Sequence, residues 1–263
     1  MGEQTPDILR ENVSRDLWLG GKLTLLQPRR GHRVGSDAAL LAAACDPQKG
    51  RLIDVGAGVG AVGLAIVSRK PDLSADLVEI DPETAGLAAD NASLNNLDSR
   101  VRVVNADVFD RRSRQGACLE DESAETVVTN PPFFDARAAR VSSDAAKARA
   151  HAFANEVADR GLNAWIRACL ALLKPGGSFT MIHTPEALAA ILSATERRLG
   201  ALTILPIYPR AGAAAIRLLI SGIKGSRAPL RIAPPITLHA IDGTLTGEAD
   251  AFHRGARVID WGR

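Results

Sequence analysis

The run Leu52-Ile53-Asp54-Val55-Gly56-Ala57-Gly58-Val59-Gly60-Ala61-Val62-Gly63 confines this chain to few folds. A short apolar strand pattern passes through closely spaced glycines into a helix pattern. Glycine permits positive φ and lets a ligand approach the backbone. A strand–glycine turn–helix unit of this kind belongs to α/β sheets, which bind ligands at the carboxyl ends of their strands. The alternation continues along the chain. Ala75 to Ile80 reads as a strand, Asp81 caps a helix with Pro82 in its first turn, and Val101 to Val104 and Thr126 to Thr129 read as strands. A helix from about Asn155 to Leu173 is expected to stop at Lys174-Pro175-Gly176-Gly177, before a strand over Ser178 to His183. Pro185 to Leu199 reads as helix, and Ala201 to Ile207 with Ala214 to Ile220 as a closing strand pair. The expected fold is α/β: a seven-stranded, mostly parallel sheet with helices on both faces and an antiparallel edge.

The flanks are less regular. Leu17 to Leu26 suggests two short strands about Gly20-Gly21, then a basic loop, then an Ala/Leu helix capped by Ser36 or Asp37 and running to about Cys45. The implied division is residues 1–45 as an extension packed on the core, 46–232 as the core, and 233–263 as a surface-packed tail.

Hydrophobic residues make up 46% of the chain and charged ones 24%, enough apolar material for a sizeable core. Aromatics are only 4%, so that core must be built from Ala, Leu, Val and Ile. A formal charge of +2 does not announce nucleic-acid binding, which then needs a local patch. Cys45, Cys118 and Cys169 form no Cys-x-x-Cys pair, which argues against a disulfide frame or a zinc site; no metal is expected. With no signal-peptide pattern and no apolar stretch near the ~20 residues of a membrane span, the expectation is a soluble, cytoplasmic protein without a membrane partner.

Three acids stand at successive strand ends: Asp54 before the glycine loop, Glu79 at the tip of the second strand, Asp107 after the third. Asp54 would repel a pyrophosphate but can face a positively charged amino acid group. Glu79 can accept ribose hydroxyls, as it would in an NAD enzyme too, and Asp107 is placed for an adenine amino group. Asn130-Pro131-Pro132-Phe133 follows the fourth strand. By itself the tetrapeptide fits a proline turn over a core Phe as well as it fits an amino-group clamp. In the clamp, Asn130 offers Oδ1, Pro131 a carbonyl without an N–H, and Phe133 a stacking face.

With that loop and that tetrapeptide in order, the chain resembles the class I S-adenosylmethionine-dependent methyltransferases, whose fold is Rossmann-like, in the branch that methylates amino nitrogens. The segment Gly31-His32-Arg33-Val34-Gly35-Ser36-Asp37-Ala38-Ala39-Leu40-Leu41, with Tyr208-Pro209-Arg210-Ala211-Gly212, Arg217 and Lys224-Gly225, resembles the bacterial tRNA(1)(Val) adenine-37 N6-methyltransferase family. The resemblance runs from about Trp18 to Ala233. It implies S-adenosyl-L-methionine as cofactor, held by Ser36, Asp37, Asp54, Gly56, Gly58, Gly60, Glu79, Ile80, Asp107, Val108 and Asn130. It implies Asn130, Pro131 and Phe133 as the catalytic group, and RNA, above all tRNA, as the partner. Phe133 stands where adenine and glutamine methyltransferases more often have Tyr. Guanine N2 in ribosomal RNA and glutamine N5 in a protein therefore stay open beside adenine N6. An NAD-dependent oxidoreductase is disfavoured by Asp54, and a non-catalytic RNA-binding module by the complete tetrapeptide.

Two locally basic stretches are candidates for RNA contact. Arg197 to Arg231 holds seven Lys or Arg and no acid, including Arg210 and Lys224. Arg137, Arg140 and Arg149 follow the tetrapeptide, and Arg30 and Arg33 precede the first core helix. Each cluster also fits an ordinary solvated face.

Overall fold

The computed structural model describes residues 12–31, 33–132 and 161–262. In chain order these form a hairpin, β1 (Val13–Trp18) and β2 (Leu23–Pro28), and a helix, α1 (Ser36–Ala44). Then come β3 (Gly50–Val55), α2 (Ala61–Arg69), β4 (Leu73–Glu79), α3 (Pro82–Leu94), β5 (Val101–Asn105), α4 (Arg111–Gly116) and β6 (Ala124–Thr129). Helix α5 covers residues 161–172 of the described chain. After it follow β7 (Leu173–His183), a 3₁₀ turn (Pro185–Ala187), α6 (Leu188–Thr195), β8 (Leu199–Arg210), β9 (Arg217–Lys224), β10 (Arg231–Ile232), β11 (Ile236–His239) and α7 (Gly247–His253). No helix among the described residues is long and apolar enough to cross a membrane.

The main sheet runs β10-β8-β9-β7-β6-β3-β4-β5, with β11 also on β8. Strands β3 to β7 pair in parallel, and β9 is antiparallel to both β7 and β8. The seven expected strands are present, and the carboxyl segment adds two short ones. Parallel strands are buried on both faces because helices cover both. In β3, Leu52 packs with α1, α2 and α3, while Ile53 and Val55 pack with Trp165 and Phe179 on the other face.

Several boundaries differ from expectation. The hairpin starts at Val13, because β1 alternates half-buried and exposed residues and gives little apolar signal. Gly35, not Ser36 or Asp37, is the N-cap of α1, with no side-chain capping bond. Helix α5 ends at 172, where expected, but the strand begins at once: Leu173 already pairs with Ala124 and Ser178 with Thr126, so Lys174 to Gly177 bulge out within β7. Helix α6 is shorter than expected, and β9 begins at Arg217. The six residues of α4 carry too little apolar periodicity to be read in advance.

Both flanks are built into the core. Asn91 and Asn95, one turn apart on α3, bind β2 as a neighbouring strand would. Leu26 N–H donates to Asn91 Oδ1 at 2.6 Å and Asn91 Nδ2 donates to the Leu26 carbonyl at 3.0 Å; Thr24 makes the matching pair with Asn95 at 2.9 and 2.8 Å. The carboxyl segment, expected on the surface as a tail, instead closes helix α1. Residues 38–44 are all buried, since α1 packs against α2, α7 and β7. Its last carbonyls have no partner within the helix. Ile259 N–H donates to the Ala43 carbonyl and Trp261 Nε1 to the Ala44 carbonyl, both at 2.8 Å. Trp261 is 8% exposed. Trp261→Ala should therefore cost about 3–5 kcal/mol of stability, as for a large core aromatic. Urea unfolding followed by circular dichroism measures it, and a loss below about 1 kcal/mol would mean that the segment only lies on the surface.

Candidate active site

The carboxyl ends of β3, β4, β5 and β6 share one edge of the sheet, and each delivers polar groups there. At the end of β3 the chain turns through Gly56, Gly58 and Gly60, all at positive φ. Gly60 is the N-cap of α2 at φ 86°, a left-handed conformation that glycine adopts without steric cost. The amides of Gly56 and Ala57 both donate to the Val78 carbonyl of β4, at 2.9 and 3.0 Å. A Cβ at Gly58 would meet nothing within 4 Å, so the crest of the loop faces open space.

Two carboxylates lie under this loop. Asp54 is 2% exposed and its Oδ2 accepts the Gly63 N–H at 2.9 Å. Burial pushes its pKa up to about 7; the Gly63 hydrogen bond opposes this, and the Glu79 charge adds a smaller upward push. Glu79 accepts the Gly58 N–H at 2.9 Å on Oε2 and the Asp81 N–H at 3.0 Å on Oε1. Its pKa is also raised, first by burial. Glu79 thus holds the crest of the loop directly. Asp54 does so from beneath, through the first turn of α2, rather than from an open position facing a ligand. Glu79 at the crest suits a ligand carrying positive charge and hydroxyls better than a pyrophosphate, which fits S-adenosylmethionine.

The remaining predicted cofactor residues divide by position. Ile80 follows Glu79 and is half-buried; Val108 is buried. Asp107 Oδ1 accepts the Phe109 N–H at 2.8 Å, which holds the loop after β5 in a tight turn. Asn105 Nδ2 donates to the Glu79 and Ile80 carbonyls, both at 2.9 Å, and so ties the ends of β4 and β5 together. Ser36 is exposed at the start of α1. Asp37 is paired with Arg217 at the start of β9, Nε to Oδ2 at 2.8 Å. That pair fixes α1 to the antiparallel edge of the sheet.

Asn130 follows β6 directly. Its Oδ1 is buried and accepts no hydrogen bond from the described residues. A buried amide oxygen left in that state costs free energy unless something else donates to it. Pro131 behind it is buried and offers only its carbonyl. Two residues that the sequence did not single out hold this corner. Thr129 Oγ1 donates to the Val55 carbonyl at 2.8 Å, and Trp165 Nε1 donates to Thr129 Oγ1 at 3.0 Å. Trp165 lies 36 residues beyond Thr129 in the chain, and no local pattern signals their contact.

The predicted RNA contacts that lie among the described residues, Arg30, Arg33, Arg210 and Lys224, do not converge. Arg210 ends β8, which runs parallel to β7, so it lies exposed at the same edge as Asn130. Arg30 is exposed in the loop after β2, and β2 itself is tied to the cofactor turn, because Asn91 Nδ2 donates to both the Leu26 and the Val59 carbonyls at 3.0 Å. Arg33 is committed to the hairpin, donating to Asp16 at 2.8 Å and Ser14 at 3.0 Å. Lys224 is displaced from the expected surface altogether. It ends β9 at the opposite edge of the sheet, where its Nζ donates to Glu122 and to the Leu170 and Leu173 carbonyls at 3.0, 2.9 and 2.6 Å. Spacing along the chain could not show that an antiparallel strand carries Arg217 and Lys224 to opposite edges. Phe133, Arg137, Arg140 and Arg149 lie outside the described residues. Among the described residues no cluster of His, Cys, Asp or Glu could hold a metal ion.

The profile of the methyltransferase small domain family matches residues 32–187. The tRNA1(Val) (adenine(37)-N6)-methyltransferase of Aeromonas hydrophila subsp. hydrophila is 27% identical over 218 residues, covering 81% of this chain and 85% of that protein. The protein of the same name from Bacteroides thetaiotaomicron is 28% identical over 203 residues, 76% of this chain and 80% of its own. Among solved structures, a predicted O-methyltransferase, protein Atu636 from Agrobacterium tumefaciens, superposes with a TM-score of 0.70 at 31% identity, covering 85% of this chain and 98% of that one.

The raised acid pKa values have a measurable consequence. Folded Asp54 keeps its proton up to about pH 7, whereas the unfolded chain loses it near 3.8. The folded state thus binds the extra proton between those values, and stability falls as the pH rises through that window. Glu79 acts in the same direction. Asp54→Asn keeps an acceptor for Gly63 N–H but cannot ionise. In the cofactor-free protein it should flatten the decline in melting temperature between about pH 4 and 7. An unchanged decline would remove Asp54 as its source.

Proposed function

The chain belongs to the methyltransferase small domain family, and from that premise we propose that it methylates the exocyclic N6 of an adenine in tRNA. Its methyl donor is S-adenosylmethionine. The observation that carries the proposal is the buried Oδ1 of Asn130, which has no donor among the described residues, beside the carbonyl of Pro131 at the edge where the glycine loop opens.

An exocyclic amine conjugated with a base ring is a poor nucleophile because its lone pair is delocalised, but it carries two N–H donors. Asn130 Oδ1 and the Pro131 carbonyl are two acceptors for them. Accepting both bonds draws the nitrogen toward tetrahedral geometry and turns its lone pair out of conjugation. As positive charge grows on that nitrogen the same two oxygens stabilise it. A hydroxyl acceptor has one proton to offer, would leave one oxygen unpaired, and fits the pair less well. The bound cofactor supplies a methyl group already activated by its sulfonium, so the protein contributes positioning more than acid–base chemistry. Glu79 and the loop amides orient the donor side; Asn130 and Pro131 orient the acceptor. Adenine in tRNA, rather than guanine or glutamine, is supported by the two curated relatives, which match about four-fifths of this chain.

Asn130→Ala should lower kcat by about 10²–10³-fold, the range for loss of one preorganised polar partner, with S-adenosylmethionine binding unchanged by calorimetry. Nucleoside mass spectrometry of tRNA from a strain lacking the gene should show less N6-methyladenosine, restored by the wild-type gene and not by the Asn130→Ala variant. Unchanged tRNA nucleosides would sink the tRNA assignment. Arg30→Ala and Arg210→Ala should each weaken tRNA binding and reduce the slope of log affinity against log salt by roughly 1 per lost phosphate contact. Lys224→Ala should leave that slope as it is. A slope that falls equally for Lys224→Ala would place the RNA elsewhere.

A further inference from the structure

Trp165 touches three of the segments that build the site. Its Nε1 donates to Thr129 Oγ1 at 3.0 Å, and the Thr129 hydroxyl in turn donates a hydrogen bond to the Val55 carbonyl at 2.8 Å. The six-membered edge of the same indole lies beneath the cofactor loop: a Cβ on Gly56 would stand 3.0 Å from Cζ2 and 3.1 Å from Cη2. Phe109, two residues past Asp107, meets the ring edge-on, with centroids 5.7 Å apart and planes at 75°. The side chain is 1% exposed.

Packing alone does not account for this arrangement. A phenylalanine or leucine would fill a core site between α5 and the sheet without a polar atom to satisfy. The indole N–H instead ends a two-bond relay on the residue immediately before Asn130, and the relay terminates on the residue immediately before Gly56. We infer that Trp165 and Thr129 are positioning residues for the methyl transfer: the relay sets the height and rotation of Asn130 against the cofactor loop, and the indole edge fixes the loop from below. The inference rests on the amine-clamp reading of Asn130. It matters because transfer between two held groups loses rate steeply when one is misplaced by an ångström or less.

The two residues predict different signatures in the full-length protein. Thr129→Val keeps the shape, breaks the relay and leaves the indole under Gly56. It should lower kcat about tenfold, with the S-adenosylmethionine dissociation constant unchanged by calorimetry. Thr129→Ser retains the hydroxyl and should restore kcat. Trp165→Phe loses both the N–H and the ring edge, and should lower kcat while weakening S-adenosylmethionine binding severalfold. Independent of turnover, the side-chain amide resonances of Asn130 should move in Thr129→Val and Trp165→Phe and return in Thr129→Ser. Wild-type kcat in Thr129→Val, equal loss of kcat and cofactor affinity in it, or failure of Thr129→Ser to rescue would each overturn the relay. Asn130→Ala run alongside separates the two levels. If that variant stays active, the amine clamp itself is wrong; if it is inactive while Thr129→Val is normal, only the relay falls.

Discussion

Strands β3 and β6 are hydrogen-bonded neighbours, and their register sets Val55 beside Thr129. One residue past Val55 the chain enters the glycine loop; one residue past Thr129 it presents Asn130. The glycine loop and Asn130 are therefore aligned by the pairing of two central strands before any loop conformation is considered. A slip of one residue would shift one site by ~3.3 Å and exchange the buried faces of a whole strand. Neither is tolerable where both faces are packed, as they are for Leu52 to Val55 and for Thr126 to Thr129. The site inherits its precision from the core.

Against that rigid background the polar groups at the strand ends are held in costly states. Asp54 and Glu79 are carboxylates whose burial raises their pKa values, and Asn130 keeps a buried oxygen with no donor among the described residues. Each would be cheaper as an apolar residue. They cluster where the sheet opens to ligand, and the bonds that restrain them come from backbone amides of the same loops. Polar groups held at such a cost at the open end of a packed sheet are where a bound ligand can supply what folding does not.

The segments outside the strand–helix alternation serve the same edge from further away. Asn91 binds both β2 and the Val59 carbonyl, which fixes the hairpin against the cofactor turn. The carboxyl segment covers helix α1 and satisfies its terminal carbonyls through Ile259 and Trp261. Helix α1 in turn meets the antiparallel edge through Asp37 and Arg217. Through these contacts the hairpin is held against the cofactor turn and the carboxyl segment against α1, though their sequences look like a loose start and a tail.

The sequence by itself determined the α/β alternation, the parallel core strands, the glycine turn and the chemistry of its polar strand ends. Those features are local: a period of two or 3.6, a cap at Asp81, or a proline after Asn130 is written in a few consecutive residues. The tertiary structure alone decided which of the predicted residues meet. It brought Trp165 to Thr129 and Gly56, turned Asp54 under the loop, tied Arg33 to Asp16, and carried Lys224 to the far edge on an antiparallel strand. It also drew the carboxyl segment into the core. These outcomes depend on contacts between residues far apart in the chain, set by strand direction and by burial, and no window along the sequence contains both partners.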